Sequence, residues 1–173
     1  MRLFTALWPP PAAVDALATE LASAPPWHPD GAWRPVDPGT WHLTLCFHGD
    51  DDPDARAAAL DAAFAGVPAP RLRIAGTGTF PGVVWAGVEP GGVLDDLAAR
   101  AGADPSSFRA HLTLARRRPA DRPRPDALTG AGGVRPGPWW TADEVLLVRS
   151  DPGPRYTPVH RVRLTVPSGG AGR

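Results

Sequence analysis

The sequence has no lysine, no asparagine and no glutamine, a single isoleucine, a single cysteine and no net charge. The lone Cys46 excludes an intramolecular disulfide and points to a reducing compartment. Acidic and basic side chains balance at 18 each. No global basic field therefore gathers long nucleic acid, and an anionic ligand has to be met locally. Without lysine, arginine is the only permanently charged donor that a phosphate can find here. Heavy use of alanine, proline and glycine reads as the codon bias of a GC-rich genome. The opening "MRLFTALWPPPAAV" breaks into prolines after eight residues, too soon for a signal-peptide core, and no later apolar run is long enough to cross a bilayer. The expectation is a cytoplasmic monomer without a membrane partner. It should fold as one bilobal domain over 1–166, with a disordered tail, "PSGGAGR", over 167–173.

Against these absences stands one repetition. "WHLTLCFHGD" (Trp41 to Asp50) and "FRAHLTLARRR" (Phe108 to Arg118) carry the same His-Leu-Thr-Leu, 69 residues apart. With residues drawn at about 1 in 20 each, a given tetrapeptide recurs by chance on the order of once per thousand chains of this length. In the first copy Trp41, Leu43, Leu45 and Phe47 alternate with His42, Thr44, Cys46 and His48, the period of a strand with one face in a core. Arg2 to Trp8 reads as a strand, and Pro10 and Pro11 open a helix through "AAVDALATELAS". A loop leads to the first motif. "DPDARAAALDAAFAG" is a helix capped by Asp52 or Asp54 and ended by Gly66. "RLRIAGTGTF" and "GVVWAGVE" are neighbouring strands, "GGVLDDLAARAGA" a helix, and "SSFRAHLTLARRR" the second motif strand. A long loop over 117–138 precedes two strands in "DEVLLVRSDPGPRYTPVHRVRLTV". The order β-α-β-α-β, then β-α-β-loop-β-β, describes two related halves. A pseudo-twofold arrangement would bring His42 and His111 face to face.

Two imidazoles converging on one ligand supply a proton acceptor and a proton donor near neutrality, which suits displacement at phosphorus. Each threonine lies two residues along the same face, roughly 7 Å from its histidine backbone, where its hydroxyl can bond a phosphate oxygen.

The paired motif at this spacing, with "MRLFTAL", "FPGVVWAGV" and "DEVLLVRSDPGPRY", resembles the two-histidine (2H) phosphoesterases almost end to end, and within them the RNA 2′,3′-cyclic phosphodiesterases of the LigT or ThpR kind. The resemblance implies an α+β bilobal fold: two pseudo-symmetric antiparallel-sheet lobes with outer helices around a central cleft. It also implies no metal and no cofactor, RNA or nucleotide ends bearing a 2′,3′-cyclic phosphate as partner, and hydrolysis to a 2′-phosphate. For some members it implies 2′-5′ joining of RNA ends or its reversal. Carried over, His42 is the general acid, His111 the base, and Thr44, Thr113 and Arg116 bind phosphate. On a strict pleat Arg116 shares the core-side face with Leu112 and Leu114, so the strand has to end or bulge there, or Arg117 or Arg118 makes the contact. His48 falls by parity on the cleft rim, about 20 Å along the strand from His42.

Blander readings stand beside these. The histidines could be ordinary strand residues and the threonines β-branched strand formers. Arg116 to Arg118 with Arg122 and Arg124 could be a solvated basic loop rather than an RNA contact. Tyr156 could stack on a base or pack in the core. Trp27, Trp33, Trp139 and Trp140 fit anchoring of loops better than base stacking. Cys46 is expected to line the cleft, with no histidine beside it as base. His42 and Cys46 lie about 13 Å apart on a strand, too far to share a zinc ion. The function alternatives are a 2′-5′ RNA ligase or phosphodiesterase and a non-catalytic RNA-end binding module, and the acid and base roles exchange if substrate lies the other way round.

Overall fold

The computed structural model describes residues 1–23, 33–117, 134–153 and 155–166. Its elements are β1 (Arg2–Leu7), α1 (Pro11–Ser23), β2 (Trp33–Pro35), β3 (Leu43–Asp50), α2 (Pro53–Phe64), β4 (Arg71–Phe80), β5 (Val83–Glu89), α3 (Gly91–Ala101), β6 (His111–Arg117), β7 (Trp140–Thr141), β8 (Glu144–Asp151) and β9 (Arg155–Arg163). The architecture is α+β, as the resemblance implies. Two short strands, β2 and β7, and a 3-10 turn over Pro38–Thr40 fall where the sequence reads as loop. Residues 118–133 of the long loop, with Arg118, Arg122 and Arg124, lie outside the described residues, as do Trp27 and the tail from 167 onward.

The helices begin and end on local chemistry. Asp52 caps α2 by accepting a hydrogen bond from the Ala55 amide at 2.8 Å, with Pro53 at the first helical position. Gly102 ends α3 in the left-handed region, φ 98°, where only glycine is unstrained.

The pairs between these strands are antiparallel, and the strands run in the order β7-β4-β5-β6-β3-β1-β8-β9, with β2 added to β6. At the centre the ladder narrows to a single pair, Leu43 with Leu112. That seam divides the sheet into one lobe of β3, β1, β8 and β9 and another of β6, β5, β4, β7 and β2. Neither lobe is a half of the sequence. The chain before Gly82 gives β4 to the second lobe, and the chain after it gives β8 and β9 to the first.

The crossover helices are exchanged as well: α1, leaving β1, packs on β4, and α3, leaving β5, packs on β3. Leu7, Leu45, Leu60, Phe64, Leu72, Ile74, Leu94, Leu97, Leu112 and Leu114 are all buried in the shared core. Each of these side chains contributes about 2 kcal/mol of apolar burial. The lobes are therefore held by the same core while their other face stays open. No helix among the described residues is long and apolar enough to cross a membrane.

Candidate active site

The seam organises the site. With Leu43 opposite Leu112 and both leucines buried, the same register carries His42 opposite Thr113 and Thr44 opposite His111. All four polar side chains then point to the open face, because paired residues share a face and neighbours along a strand alternate. The four line one cleft of about 720 Å³, together with Arg2, Arg34, Arg116, Phe47 and Tyr156.

Both motif strands break parity at the same place. On β3, Cys46 pairs with Thr5 and Thr44 with Ala6, so Leu45 has no partner on β1. On β6, Ala115 pairs with Val84 and Thr113 with Trp85, so Leu114 has none on β5. Each is a β-bulge at the fourth residue of the motif, and its mark is two consecutive buried residues, Leu45 and Cys46, then Leu114 and Ala115. Beyond each bulge the faces swap. Arg116 turns into the cleft and Arg117 away from it, through a bulge such as a strict pleat requires for Arg116 to face the ligand, while Arg118 lies outside the described residues. By the same shift Phe47, three-quarters exposed, takes the cleft position on β3 that Arg116 takes on β6.

The two histidines are anchored identically. Nδ1 of His42 lies 2.7 Å from the Thr40 carbonyl and Nδ1 of His111 lies 2.6 Å from the Arg109 carbonyl. A carbonyl only accepts, so each Nδ1 carries the hydrogen and each Nε2 is left for the ligand. Each ring also has an aromatic surround. Trp8 stacks on His42 with centroids 4.7 Å apart, and Phe4 and Tyr156 approach it at 5.1 and 4.9 Å. Phe80 meets His111 edge-on at 5.1 Å, and Trp85 lies 6.5 Å away. Burial among its aromatic neighbours pushes the His42 pKa below the ordinary imidazole value. The Thr40 carbonyl opposes that shift, while the charges of Arg116 and His111 add to it.

The Thr44 and Thr113 hydroxyls make no hydrogen bond among the described residues, and Arg116 has no carboxylate partner there. Three donors thus face the ligand space unengaged. Arg34 stands beside Arg116 on β2, and Arg2 lies toward the far end of β3, where it pairs with Asp50. Among the described residues no three His, Cys, Asp or Glu side chains cluster as a metal-binding group.

Three expectations are corrected. His48 does not reach the cleft: the Leu45 bulge turns it to the helix-covered side, where its Nε2 lies 2.7 Å from the fully buried Thr5 hydroxyl. Burial, then Arg56, pushes its pKa down. Cys46 turns the same way and is absent from the cleft lining, and it does have a histidine beside it, with Sγ 3.8 Å from His48 Nδ1. Burial raises its thiol pKa, which favours the unreactive form. Arg117 lies outside the cleft lining, its guanidinium 5.7 Å from the Trp33 ring centroid.

Tyr156 packs on Phe4 at 5.4 Å as a partly buried ring and also lines the cleft. Trp8, Phe4, Phe80, Trp85, Arg34 and Phe47 went unread as site residues. Phe47 and Arg34 depend on the bulge and on a three-residue strand, which periodicity does not reveal. The aromatic neighbours of the histidines come from strands distant in sequence.

Comparison with known proteins places this geometry. The 2′-5′ RNA ligase superfamily matches residues 9–154. An RNA 2′,3′-cyclic phosphodiesterase of Thermus thermophilus is 34% identical, across 95% of this chain and 90% of its own length. A crystal structure from the same organism superposes with a TM-score of 0.68 at 31% identity, covering 94% of this chain and 97% of that one. Escherichia coli LigT in complex with ATP gives a TM-score of 0.71 at 28% identity, covering 95% and 98%. The LigT structure complexed with phosphate gives 0.70 at 29% identity, covering 95% and 97%.

Proposed function

The chain belongs to the 2′-5′ RNA ligase superfamily, among the two-histidine phosphoesterases of the LigT kind, and from that premise we propose that it hydrolyses the 2′,3′-cyclic phosphate at RNA ends to a 2′-phosphate. The observation that carries the reading is the pair of histidines held alike by Nδ1 across one seam, each with Nε2 unengaged among the described residues.

In this reading the cyclic phosphate lies between the two rings. Thr44, Thr113 and Arg116 hold its non-bridging oxygens and favour the charge that builds on them as a fifth oxygen approaches phosphorus. His111, on the more exposed side, takes a proton from water through Nε2. The water oxygen bonds to phosphorus, the bond from phosphorus to O3′ breaks, and His42 gives O3′ its proton. Each ring ends in the state in which the other began, and exchange with solvent resets them. A lowered pKa makes the His42 imidazolium a stronger acid than an ordinary imidazolium, and a phosphate anion bound beside it favours its protonated form.

The test is a short RNA ending in a 2′,3′-cyclic phosphate, incubated with the protein in EDTA and read by product mass and phosphate position. Conversion to a 2′-phosphate, absent in both His42→Ala and His111→Ala, upholds the reading. A 3′-phosphate reverses the polarity, and no conversion with binding retained moves the assignment to a binding module.

A second reading, joining of RNA through a 2′-5′ bond or its reversal, is favoured by arginines on both sides of the histidine pair, Arg34 beside Arg116 and Arg2 beyond Phe47. It uses the same groups, with a 5′-hydroxyl in place of water.

A further inference from the structure

On His111's side of the cleft the open sheet face continues past the catalytic pair. Gly87 pairs with His111, Glu89 lies two residues along the same strand, and Arg73 pairs with Glu89 on β4. These positions share the face that bears His111. Gly87 adds no side chain to that face, and none would fit, since a Cβ there would stand 2.6 Å from the Ala75 carbonyl oxygen and 3.7 Å from the edge of the Trp85 ring.

The face ends at Trp139, which is 44% exposed. Its ring carries the Arg73 guanidinium at 4.6 Å and that of Arg71 at 5.7 Å. Arg73 is paired with Glu89 at 2.9 Å, but Arg71 has no carboxylate partner among the described residues. Three strand spacings and a two-residue offset put Trp139 roughly 16 Å from His111, beyond the reach of a single bound nucleotide's phosphate.

We propose that this face, from His111 across Gly87 to Trp139 and Arg71, seats the single-stranded RNA whose 5′-hydroxyl takes the place of water, with one base stacked on Trp139 and a backbone phosphate on Arg71. The inference rests on the proposed polarity. In an in-line displacement the entering group lies opposite the leaving O3′, hence on His111's side. Joining then proceeds with His111 taking the proton of the 5′-hydroxyl, a bond forming from that oxygen to phosphorus, and the bond to O3′ breaking as His42 protonates it. Cleavage of a 2′-5′ junction is the same path reversed. An exposed indole flanked by cations suits such a strand because stacking accepts any base and the free guanidinium follows the backbone.

The experiment compares wild type with Trp139→Ala, Trp139→Phe and Arg71→Ala in three measurements. They are hydrolysis of an RNA ending in a 2′,3′-cyclic phosphate, cleavage of an RNA with one internal 2′-5′ linkage and several nucleotides beyond it, and anisotropy of a labelled single-stranded hexaribonucleotide with a free 5′-hydroxyl. Trp139→Ala is expected to weaken hexamer binding and slow junction cleavage by roughly tenfold, the loss of one base stack. Trp139→Phe should retain most of both, and hydrolysis of the cyclic phosphate should be unchanged. Unaltered hexamer binding in Trp139→Ala, or an equal fall in cyclic phosphate hydrolysis, overturns the proposal. If wild type fails to hydrolyse the cyclic phosphate, the functional reading falls, and the anisotropy still decides whether this face binds RNA.

Discussion

Leu43 pairs with Leu112 across the seam between the lobes, and each is the second residue of its own His-Leu-Thr-Leu. A residue that faces its own counterpart in an antiparallel pair lies on a local twofold axis. Both histidines, both threonines and both bulges are related by that axis. What departs from it is the content of equivalent positions: Phe47 where the other strand has Arg116, and the Phe4, Trp8 and Tyr156 surround of His42 where His111 has Phe80 and Trp85. In the proposed function the symmetry makes a two-sided acid-base site, and these departures give its sides different tasks.

The histidine roles are separable by leaving group. Either alanine variant is expected to lose on the order of 10³ in rate on an ordinary cyclic phosphate, the scale of one lost acid or base. A cyclic substrate with sulfur at the bridging 3′ position expels a thiolate, which needs no proton. It should restore much of the activity of His42→Ala and little of that of His111→Ala. Rescue of His111→Ala instead would exchange the assignments.

His42 also sets a pH dependence. Its folded-state pKa lies below the unfolded value because the ring is buried. As pH falls from about 6.5 through the folded value the unfolded chain binds the proton first, so folding stability declines over that window. His48, lowered mainly by burial as well, adds to the same decline. Trp8→Ala opens the stacked face of His42 and should move its pKa upward, toward the ordinary value. Proton NMR titration of the His42 ring measures this directly, and the limb of the activity profile that belongs to His42 should move to higher pH with it.

Much of this was legible from the chain alone, for physical reasons. Most strand and helix spans followed from hydrophobic period and from caps such as Asp52, though β6 begins at His111 because Ser106 to Phe108 turn back on Asp104, and the duplicated tetrapeptide gave the symmetry. What escaped was set by tertiary pairing. A bulge leaves Leu45 and Leu114 looking like ordinary alternating leucines, and only the pairing of their neighbours with Thr5, Ala6, Val84 and Trp85 reveals the skipped position. Strict alternation therefore puts His48 on the wrong face and hides Phe47, and on the other strand it leaves the direction of Arg116 open for the same reason. Trp8 could not be joined to His42 from sequence because the two meet only after β1 and β3 pair.

Arg116 and Arg117 test the bulge itself. Arg116→Ala should lose about 10²-fold in kcat/KM, with Arg116→Lys recovering only part, since ammonium cannot reproduce the guanidinium fork on two phosphate oxygens. Arg117→Ala, which removes a side chain turned toward Trp33, should leave kcat/KM within a few-fold and act on thermal stability instead. The opposite ranking in steady-state assays would mean that the strand runs unbulged through Leu114.

Gly78 supports the other histidine at one remove. It pairs with Trp85, and a Cβ at Gly78 would lie 2.2 Å from the indole Cζ2, so the ring crosses β4 only because this position has no side chain. Gly78→Ala has to displace Trp85, whose ring stands next to that of His111. The strain of overpacking is expected to cost about 1–3 kcal/mol of stability. Because His111 keeps its bond to the Arg109 carbonyl but loses a neighbour on one side, kcat should fall by roughly tenfold with little change in KM, misplacement of a reacting group being felt in the chemical step. Thermal unfolding and steady-state kinetics of Gly78→Ala beside Gly76→Ala make the comparison. Gly76 has positive φ, 71°, and open space around its Cβ, so its variant carries backbone strain without touching Trp85. A kcat loss confined to Gly78→Ala would assign Trp85 the positioning of His111, and equal losses in both would assign the effect to β4 as a whole.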